Sequence, residues 1–335
     1  MQSTRAEPLP IRRRLPPPSY RLLLAIPLLA IAAIGLVRWQ QRSLIAEYPL
    51  ADRSSVPTAI AVGPDGTAWF TTNSGDPVGA VRDGHVEMVV RDSASIVSTS
   101  IAVDPVGNVW YTDDQRRAIN RVAPDGSRAQ FQLPTGVSRL GGLIADRADE
   151  IWFTDSITNA IIALRDGQFT PYPLPTDDAE PAGLARGADG AIWFVERKAG
   201  KLGRFGPGGH LAEVDIPTPN SQPGNISVDP SGAVWFTEVR VNKIGRYAGG
   251  RFVEFALPTE RAGLAGLVVV EGAVWFAETR GARIGRLRDG KIVEIGLPSE
   301  NGRPFGLARA PDGALWYTDI TGRIGRLPPE MVRST

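Results

Sequence analysis

The chain has 335 residues and a formal net charge of +1, with 37 Lys and Arg against 36 Asp and Glu. This balance gives no support to nucleic-acid binding, which normally needs a clustered basic face. Because the sequence contains no cysteine, disulfides, thiolate metal sites and cysteine nucleophiles are excluded. His85 and His210 are the only histidines, so acid–base chemistry that needs an imidazole can draw on these two alone.

The first predicted element is an apolar segment, Leu22–Val37, which follows a start rich in arginine and proline. Tyr20 and Trp39 flank it as interfacial aromatic residues. Between them, a helix rising about 1.5 Å per residue reaches roughly 30 Å, which is enough to cross a bilayer. The arginines before the segment place the N-terminus in the cytoplasm by the positive-inside rule.

A cleaved signal peptide is the alternative for this segment. No small-x-small cleavage site follows Val37, so an uncleaved anchor is favoured. We therefore predict a cytoplasmic tail over residues 1–19, a transmembrane helix over 20–39 and a linker over 40–43. The rest of the protein would then be membrane-anchored and face the periplasm or the extracellular space.

Seven tryptophans recur every 40 to 42 residues after the linker. They are Trp69, Trp110, Trp152, Trp193, Trp235, Trp275 and Trp316. A period this regular indicates one supersecondary unit copied in tandem. The typical copy contains a turn of the Pro-Asp-Gly type, then Trp-Phe or Trp-Tyr followed by an acid, then Lys/Arg-Ile-Gly-Arg and a strand ending in Leu-Pro-Thr.

Each period has room for four short strands separated by glycine turns. In the fifth repeat, we predict these strands at Gly224–Asp229, Ala233–Glu238, Lys243–Tyr247 and Arg251–Leu257. A four-stranded unit of this length is typical of one blade of a β-propeller. The seven repeats therefore predict seven blades.

The ends of the repeat region predict how the ring closes. The last repeat stops after its third strand, at Leu327. The segment Ile45–Leu50 looks like an isolated fourth strand, so it can complete the last blade and hide the edges that an open sheet would expose. The predicted fold is all-β: a seven-bladed β-propeller over residues 44–328 closed by an N-terminal strand, preceded by one N-terminal transmembrane helix and followed by a tail over 329–335.

The third residue after the tryptophan is acidic in six of the seven repeats. These candidate ligand or metal residues are Asp113, Asp155, Glu196, Glu238, Glu278 and Asp319. The repeat register places them near the upper mouth of the central channel, where six converging anions would repel one another. Something must therefore neutralise them.

Two interpretations of these acids stay open. In the first, Glu278, Glu238 and Asp319 bind a divalent cation, magnesium or calcium, because carboxylate oxygens suit these hard ions. In the second, the acids pair with cations in the loops that follow them. Those cations are Arg116, Arg117, Arg197, Lys198, Arg240 and Arg280.

The repeated Trp-Phe-Thr-Glu, Lys-Ile-Gly-Arg and Leu-Pro-Thr motifs resemble those of the virginiamycin B lyase (streptogramin lyase) family of seven-bladed propellers. The resemblance covers all seven repeats, about residues 44–328. It implies a lyase that opens the ester linkage of a cyclic antibiotic by elimination, with a magnesium ion and a histidine in proton transfer. It also implies a site in the late blades, built from Pro-His-Gly type segments and a Trp-Phe-x-Glu carboxylate.

Matched onto this sequence, the family pattern keeps one site residue. Glu278 retains the Trp-Phe-x-Glu carboxylate, while Gly224 and Ala265 stand where the family has histidines and Gly263 where it has a carboxylate. The equivalent positions in the other repeats are Thr58, Thr99, Gly141, Ala182 and Phe305. None of them is a histidine, so the sequence leaves open whether the protein is an enzyme.

Two functions follow from the sequence as hypotheses. In the first, the propeller binds a small molecule or an envelope protein at its upper channel mouth without turnover. In the second, it is a metal-dependent lyase for C–O elimination or a lactonase-like hydrolase. Glu278, with Glu238 or Asp319, would then hold the metal, and a metal-bound water would replace the histidine.

Overall fold

The structure is a computed structural model that describes residues 43–52, 54–73, 76–91, 98–148 and 150–333. Within these ranges, no helix is long and apolar enough to cross a membrane. The tail and the transmembrane helix predicted for the N-terminus lie outside the described residues, so both stay predictions.

Within the described residues, 28 strands form seven antiparallel sheets of four strands each. The first strand in the chain is β1 (Ala46–Pro49). Blade 1 contains β2 (Pro57–Val62), β3 (Ala68–Thr72), β4 (Val78–Arg82) and β5 (His85–Val90). Blade 2 contains β6 (Ile101–Val103), β7 (Val109–Asp113), β8 (Ala118–Val122) and β9 (Arg128–Gln132). Blade 3 contains β10 (Leu140–Arg147), β11 (Glu150–Asp155), β12 (Ala160–Arg165) and β13 (Gln168–Pro173).

The later blades repeat the same order. Blade 4 contains β14 (Pro181–Arg186), β15 (Ile192–Glu196), β16 (Lys201–Phe205) and β17 (Leu211–Asp215). Blade 5 contains β18 (Pro223–Val228), β19 (Val234–Glu238), β20 (Lys243–Ala248) and β21 (Arg251–Ala256). Blade 6 contains β22 (Leu264–Val270), β23 (Ala273–Glu278), β24 (Arg283–Arg288) and β25 (Lys291–Gly296). Blade 7 contains β26 (Pro304–Arg309), β27 (Leu315–Asp319), β28 (Arg323–Leu327) and the N-terminal β1.

The seven-bladed architecture is confirmed, and the strands predicted for the fifth repeat agree with blade 5 to within one residue at each end. The turn between its first two strands explains one repeated motif. Gly232 adopts a φ of 86°, which favours glycine. The side chain of Asp229 accepts hydrogen bonds from the backbone N–H groups of Ser231 and Ala233 and from Trp235 Nε1, at 2.9 to 3.0 Å. The turn and the tryptophan strand therefore hold each other in place.

The tryptophan strand packs between blades on both of its faces, because successive side chains of a strand point to opposite sides. Trp152 packs with Leu184 and Phe194 of the following blade. Phe153, the next residue, packs with Trp110 and Ile119 of the preceding blade. The repeat of tryptophan and aromatic residue thus builds the apolar layers between blades.

The ring closes as predicted. β1 pairs with β28 in antiparallel register, with Glu47 opposite Gly325. The innermost strands of blades 1 and 7, β2 and β26, contact each other like those of every other adjacent pair. In the segment predicted as a C-terminal tail, a short helix, α1 (Pro329–Arg333), buries Met331 and Val332 against the core between blades 6 and 7.

Candidate functional site at the channel mouth

The first strands of the blades surround a cavity of about 420 Å³ at the centre of the ring. Its lining includes six of the seven register positions that the sequence assigned to the upper mouth: Thr58, Thr99, Gly141, Ala182, Gly224 and Phe305. In blade 6, Gly266 lines the cavity in place of its neighbour Ala265. The tryptophan register therefore identified the mouth correctly.

In five of the seven blades, a threonine two residues after the tryptophan shapes the first strand at this mouth. The register of β18 against β19 shifts between Pro223 and Ile226, which marks a β-bulge. Inside the bulge, the Asn225 backbone N–H donates to Thr237 Oγ1 at 2.9 Å. In blade 7, Thr318 Oγ1 accepts from Gly306 N–H and donates to the backbone oxygen of Thr58 in blade 1. The sequence carried this signal in Trp-Phe-Thr, but its role depends on contacts between strands.

The six acids after the tryptophans do not converge on the channel, so this expectation was wrong. All six side chains are fully buried, with 0% exposure, and none lines the cavity. The reason is geometric. Side chains of the second strand stand perpendicular to the blade and point at a neighbouring blade, whereas the first strand faces the axis.

The three aspartates accept hydrogen bonds from the loops around them. Asp155 accepts from the backbone N–H groups of Ser138, Arg139 and Thr158 and from Thr158 Oγ1, at 2.6 to 3.1 Å. Asp113 accepts from the backbone and the guanidinium of Arg116. Asp319 Oδ1 likewise accepts two backbone N–H groups and one hydroxyl. These carboxylates are therefore structural caps for the loops between strands.

The three glutamates are different, because no backbone N–H, hydroxyl or cationic group of the described chain donates a hydrogen bond to the carboxyl oxygens of Glu196, Glu238 or Glu278. Glu196 lies on the same face of β15 as Phe194, which packs against blade 3. Its carboxyl is therefore enclosed between two blades. Burial without partners strongly disfavours the charged form of such a group.

Each of these glutamates has a second glutamate nearby on the outer strand of its blade. In blade 4, Glu213 lies opposite Gly203, which lies opposite Phe194. The glycine leaves space that the Phe194 ring fills. Lys201 Nζ lies 3.2 Å from Glu213 Oε2, and both groups also bond the hydroxyl of a threonine in the connection before the blade.

The same cluster recurs in blades 5 and 6. Thr218 Oγ1 donates to Glu254 at 2.7 Å and Lys243 bonds the same carboxylate at 2.6 Å. In blade 6, the corresponding residues are Thr259, Arg283 and Glu294. Blade 7 has a variant in which Ser299 and Tyr317 donate to Glu47 of β1. The Leu-Pro-Thr and Lys/Arg-Ile-Gly-Arg motifs therefore form one polar link between consecutive blades.

This arrangement raises the pKa of Glu196, Glu238 and Glu278, which are the inner glutamates of the three clusters. For Glu196, burial and then the like charge of Glu213 raise the pKa to about 8. For Glu238 and Glu278, burial and then Glu254 or Glu294 raise the pKa to about 7. Burial also acts to raise the pKa of Glu213 and Glu254, but hydrogen bonds from the neighbouring threonine and lysine outweigh it and lower the pKa of both. In blades 4 and 5, the cluster therefore favours one neutral inner acid and one ionised outer acid.

Among the described residues, pairing with the following loops gives an ion pair to one of the six acids. Arg116 forms an ion pair with Asp113 at 3.1 Å. Lys198 pairs instead with Asp178, and Arg117 donates to the backbone oxygens of Pro134 and Val137. The side chains of Arg197, Arg240 and Arg280 form no ion pair within the part of the chain that the structure describes. The expected pairing is therefore wrong for these blades. The cations at the start of the third strand pair with the outer glutamates instead.

The described residues contain no group of three or more His, Cys, Asp or Glu side chains that could hold a metal ion. The predicted ligands Glu278, Glu238 and Asp319 point from three different blades into spaces between blades. Glu278 shares its pocket with the guanidinium of Arg283, which competes with any bound cation. The residues present therefore do not fit a magnesium or calcium site.

The two histidines lie far from the mouth along their blades. His85 begins β5, and His210 directly precedes β17. Both follow the turn at which the third strand ends, on the edge opposite to the one that carries Thr72 and Glu196. Both are exposed. Neither reaches the cavity at the channel mouth.

A family model and a related protein sequence both match this chain, and they indicate the same family. The family model described as "Virginiamycin B lyase family" matches residues 29–271 and 250–332. A virginiamycin B lyase of Nocardia farcinica (strain IFM 10152) is 30% identical over 186 residues, which are 55% of this chain. The matched region spans 63% of that relative's own length.

Solved structures extend the match to the whole propeller. A streptogramin B lyase structure has 29% sequence identity and a TM-score of 0.79, covering 84% of this chain and 96% of that one. A catalytically inactive histidine-to-alanine variant of virginiamycin B lyase from Staphylococcus aureus, with quinupristin, has 28% identity and a TM-score of 0.78, covering 84% and 98%. YCF48 bound to D1 peptide, at 14% identity and a TM-score of 0.67, shares the fold alone.

Proposed function

We propose a binding function for this protein, starting from the fact that the chain belongs to the virginiamycin B lyase family. It is a membrane-anchored propeller that binds a small molecule or an envelope protein at its channel mouth without turnover. The observation that carries the proposal is the cavity itself. It has a volume of about 420 Å³, and its described lining includes no histidine and no acid. A concave site of this size at the mouth of a closed ring suits ligand binding.

The absence of turnover follows from acid–base chemistry. A general acid or base must lie within hydrogen-bond reach of the reacting proton. Gly224 and Ala265 occupy the positions that the family resemblance assigns to histidines, and His85 and His210 lie at the opposite edge. The Staphylococcus aureus relative supports the separation of binding from catalysis, since its inactive histidine-to-alanine variant was crystallised with quinupristin.

The alternative is a metal-dependent lyase or a lactonase-like hydrolase. It needs a divalent cation held by Glu278 with Glu238 or Asp319. The enclosed position of these acids, away from the cavity, gives this alternative no support. The magnesium or calcium ion therefore stays a prediction from sequence.

Anchoring by residues 20–39 is part of the proposal and rests on the apolar segment between Tyr20 and Trp39. It places the propeller on the periplasmic or extracellular side. Alkaline carbonate extraction of membranes tests it. We expect the full chain to stay in the membrane pellet and a chain starting at Leu44 to be released; release of both would contradict the anchor.

Binding and turnover are tested separately on the purified full chain. Quinupristin and a small-molecule library are screened by thermal shift, while mass spectrometry follows opening of the quinupristin ester. We expect at least one compound to raise the melting temperature, with no ester opening above the buffer rate. Phe305→Ala at the mouth should weaken binding at least fivefold, because Phe305 is 42% exposed beside the cavity.

The matched control is Val253→Ala, which removes an exposed apolar side chain from the outer strand of blade 5. It should leave binding unchanged. Ester opening by the wild-type chain would refute the absence of turnover. Failure of every compound to bind in a manner that depends on Phe305 would refute the binding site.

A further inference from the structure

Arg197 is the single charged side chain among the described residues that line the mouth cavity. It follows Glu196 at the end of β15, where the chain turns at the upper edge of blade 4. Its side chain is exposed and makes no hydrogen bond or ion pair with any described residue. A guanidinium that is already paired has few N–H donors left for a ligand, whereas the Arg197 guanidinium has all of its donors free.

The guanidinium extends from blade 4 toward the first strand of blade 5. Arg197 Nη2 lies 3.8 Å from the point that a Cβ atom on Gly224 would occupy. Because residue 224 has no side chain, Arg197 Nη2, Val239 Cγ2 and Thr237 Oγ1 approach this part of β18 together. Arg197 therefore occupies the neighbourhood in which a larger residue at position 224 would stand.

The other polar side chains of the cavity leave one further group free to bind a ligand. The Asn225 side chain is exposed, lines the cavity and makes no hydrogen bond within the described chain. In contrast, Ser100 Oγ already donates to the backbone oxygen of Gly141, and Thr58 Oγ1 to that of Ser98. Among the side chains of the described lining residues, the free hydrogen-bonding groups are thus one guanidinium and one amide.

No acid balances this cation inside the cavity. Asp114 holds the position of Arg197 in blade 2, but it lies outside the lining and is bonded by Thr99 Oγ1 at 3.4 Å. The rest of the lining is mainly apolar or glycine, with the exposed ring of Phe305 on the far side. The cavity therefore combines one fixed positive charge with an apolar wall.

The geometry points to a site for an organic carboxylate, bound through a fork of two hydrogen bonds to Arg197 with its apolar body against Phe305. The planar guanidinium matches a carboxylate in bidentate geometry, which is stronger and more directional than a neutral pair. This inference rests on the proposed function of the mouth as a binding site and specifies the chemical class of ligand.

The test uses two probes of one shape, 4-fluorobenzoate and its neutral analogue 4-fluorobenzamide. Binding to the full chain in detergent is measured by fluorine NMR line broadening, up to about 20 mM probe. We expect the benzoate to bind at least fivefold more tightly than the benzamide. Its affinity should fall as sodium chloride rises, because the charges meet near solvent.

Three variants assign the effect to one side chain. Arg197→Met keeps the length but removes the charge, and should weaken benzoate binding at least fivefold. Arg197→Lys keeps the charge without the fork and should give an intermediate affinity. Arg240→Met removes an exposed, unpaired arginine in the following blade that does not line the cavity, and should change the affinity less than twofold.

Equal binding of benzoate and benzamide, benzoate binding that survives Arg197→Met, or no benzoate binding at all would each overturn the carboxylate site. The proposed function fails on a different result. If library compounds still bind in a manner that depends on Phe305, the mouth remains a binding site and only its ligand class is wrong.

Discussion

Blades 2 and 3 carry an aspartate where blades 4, 5 and 6 carry a glutamate, and the two groups bury this acid in different ways. Asp155 stays beside its own strand end and accepts four hydrogen bonds. Glu196, one methylene longer, accepts none and is enclosed against the preceding blade. The comparison teaches that one position in a repeat can serve loop order in one blade and blade–blade packing in another.

The outer strands of the two groups of blades also differ, and the difference follows whether the acid is an aspartate or a glutamate. In the glutamate blades, a glycine on the third strand lies opposite a glutamate on the fourth, as Gly245 does to Glu254. In blade 2 the same pair is Asn120 and Gln130, which bond each other directly. Blade 7 stands between the two groups, because it combines Asp319 with a glycine and Glu47. At this position of the outer strand, a glutamate therefore occurs in the described blades only where a third-strand glycine lies opposite it.

The largest expected effect is a pH dependence that arises mainly in the glutamate blades. Folding raises the pKa of Glu196 from 4.5 to about 8 and that of Glu238 and Glu278 to about 7. The stability from their neutral forms is fully present below about pH 4.5 and is lost as pH rises through these folded values. We expect the free energy of unfolding to fall by at least about 3 kcal/mol from pH 5 to pH 8.5.

Substitution of all three by glutamine tests the cause of this fall. The triple variant should lose most of the slope and keep the part from Asp114, because burial raises the pKa of Asp114 to about 6. It should also be more stable than the wild-type chain at pH 8.5, as measured by urea unfolding at both pH values. The facing charges Glu213, Glu254 and Glu294 stay in place. Asp155→Asn in an aspartate blade is the control and should lower stability by similar amounts at both pH values. An unchanged slope in the triple variant would contradict the proposed protonation.

The next effect concerns the glycine that lies between Phe236 and Glu254 in blade 5. In Gly245→Ala, the new methyl group would lie 2.2 Å from Phe236 Cζ, so the ring must move into a filled space. We expect a loss of about 2 kcal/mol in unfolding free energy. Gly208→Ala is the matched control, because no atom lies within 4 Å of its Cβ position. Equal stability of the two variants would show that the ring can relax freely.

The smallest effect concerns the threonine that links consecutive blades. Thr218→Val removes the hydroxyl that donates to Glu254 at 2.7 Å, and should cost about 1 kcal/mol. Thr135→Val changes the same Leu-Pro-Thr motif before blade 3, where Pro171 stands in place of the outer glutamate. Thermal unfolding should separate the variants. A loss in Thr135→Val as large as that in Thr218→Val would remove the distinction between the two groups of blades.

Much of the fold was predictable because it rests on local and periodic signals. The tryptophan spacing predicted seven blades, and the missing fourth strand of the last repeat predicted closure by β1. The mouth positions were also predictable, since the strand register transfers from one repeat to the next. Anchoring by residues 20–39 stays a prediction, because that segment lies outside the described residues.

The direction in which the acidic side chains after the tryptophans point was not predictable from the repeat register. Thr176 and Glu213 are 37 residues apart, and their contact decides where Lys201 is neutralised. The repeats did contain a usable signal, because all three blades with a glutamate after Trp-Phe-x also combine a third-strand glycine with an outer-strand glutamate. Blade 7 has the same combination beside Asp319. Reading it required knowledge of which residues share a face of the blade.

The sequence by itself determined the architecture, because a 41-residue period of strand and turn signals has one closed solution and its register marks one mouth. Only the tertiary structure decided the roles of the acids and of Arg197. Whether a side chain points to the axis or to the next blade depends on the strand it occupies and on the neighbour it meets. Burial then shifts the balance between neutral and charged forms, which no linear pattern records.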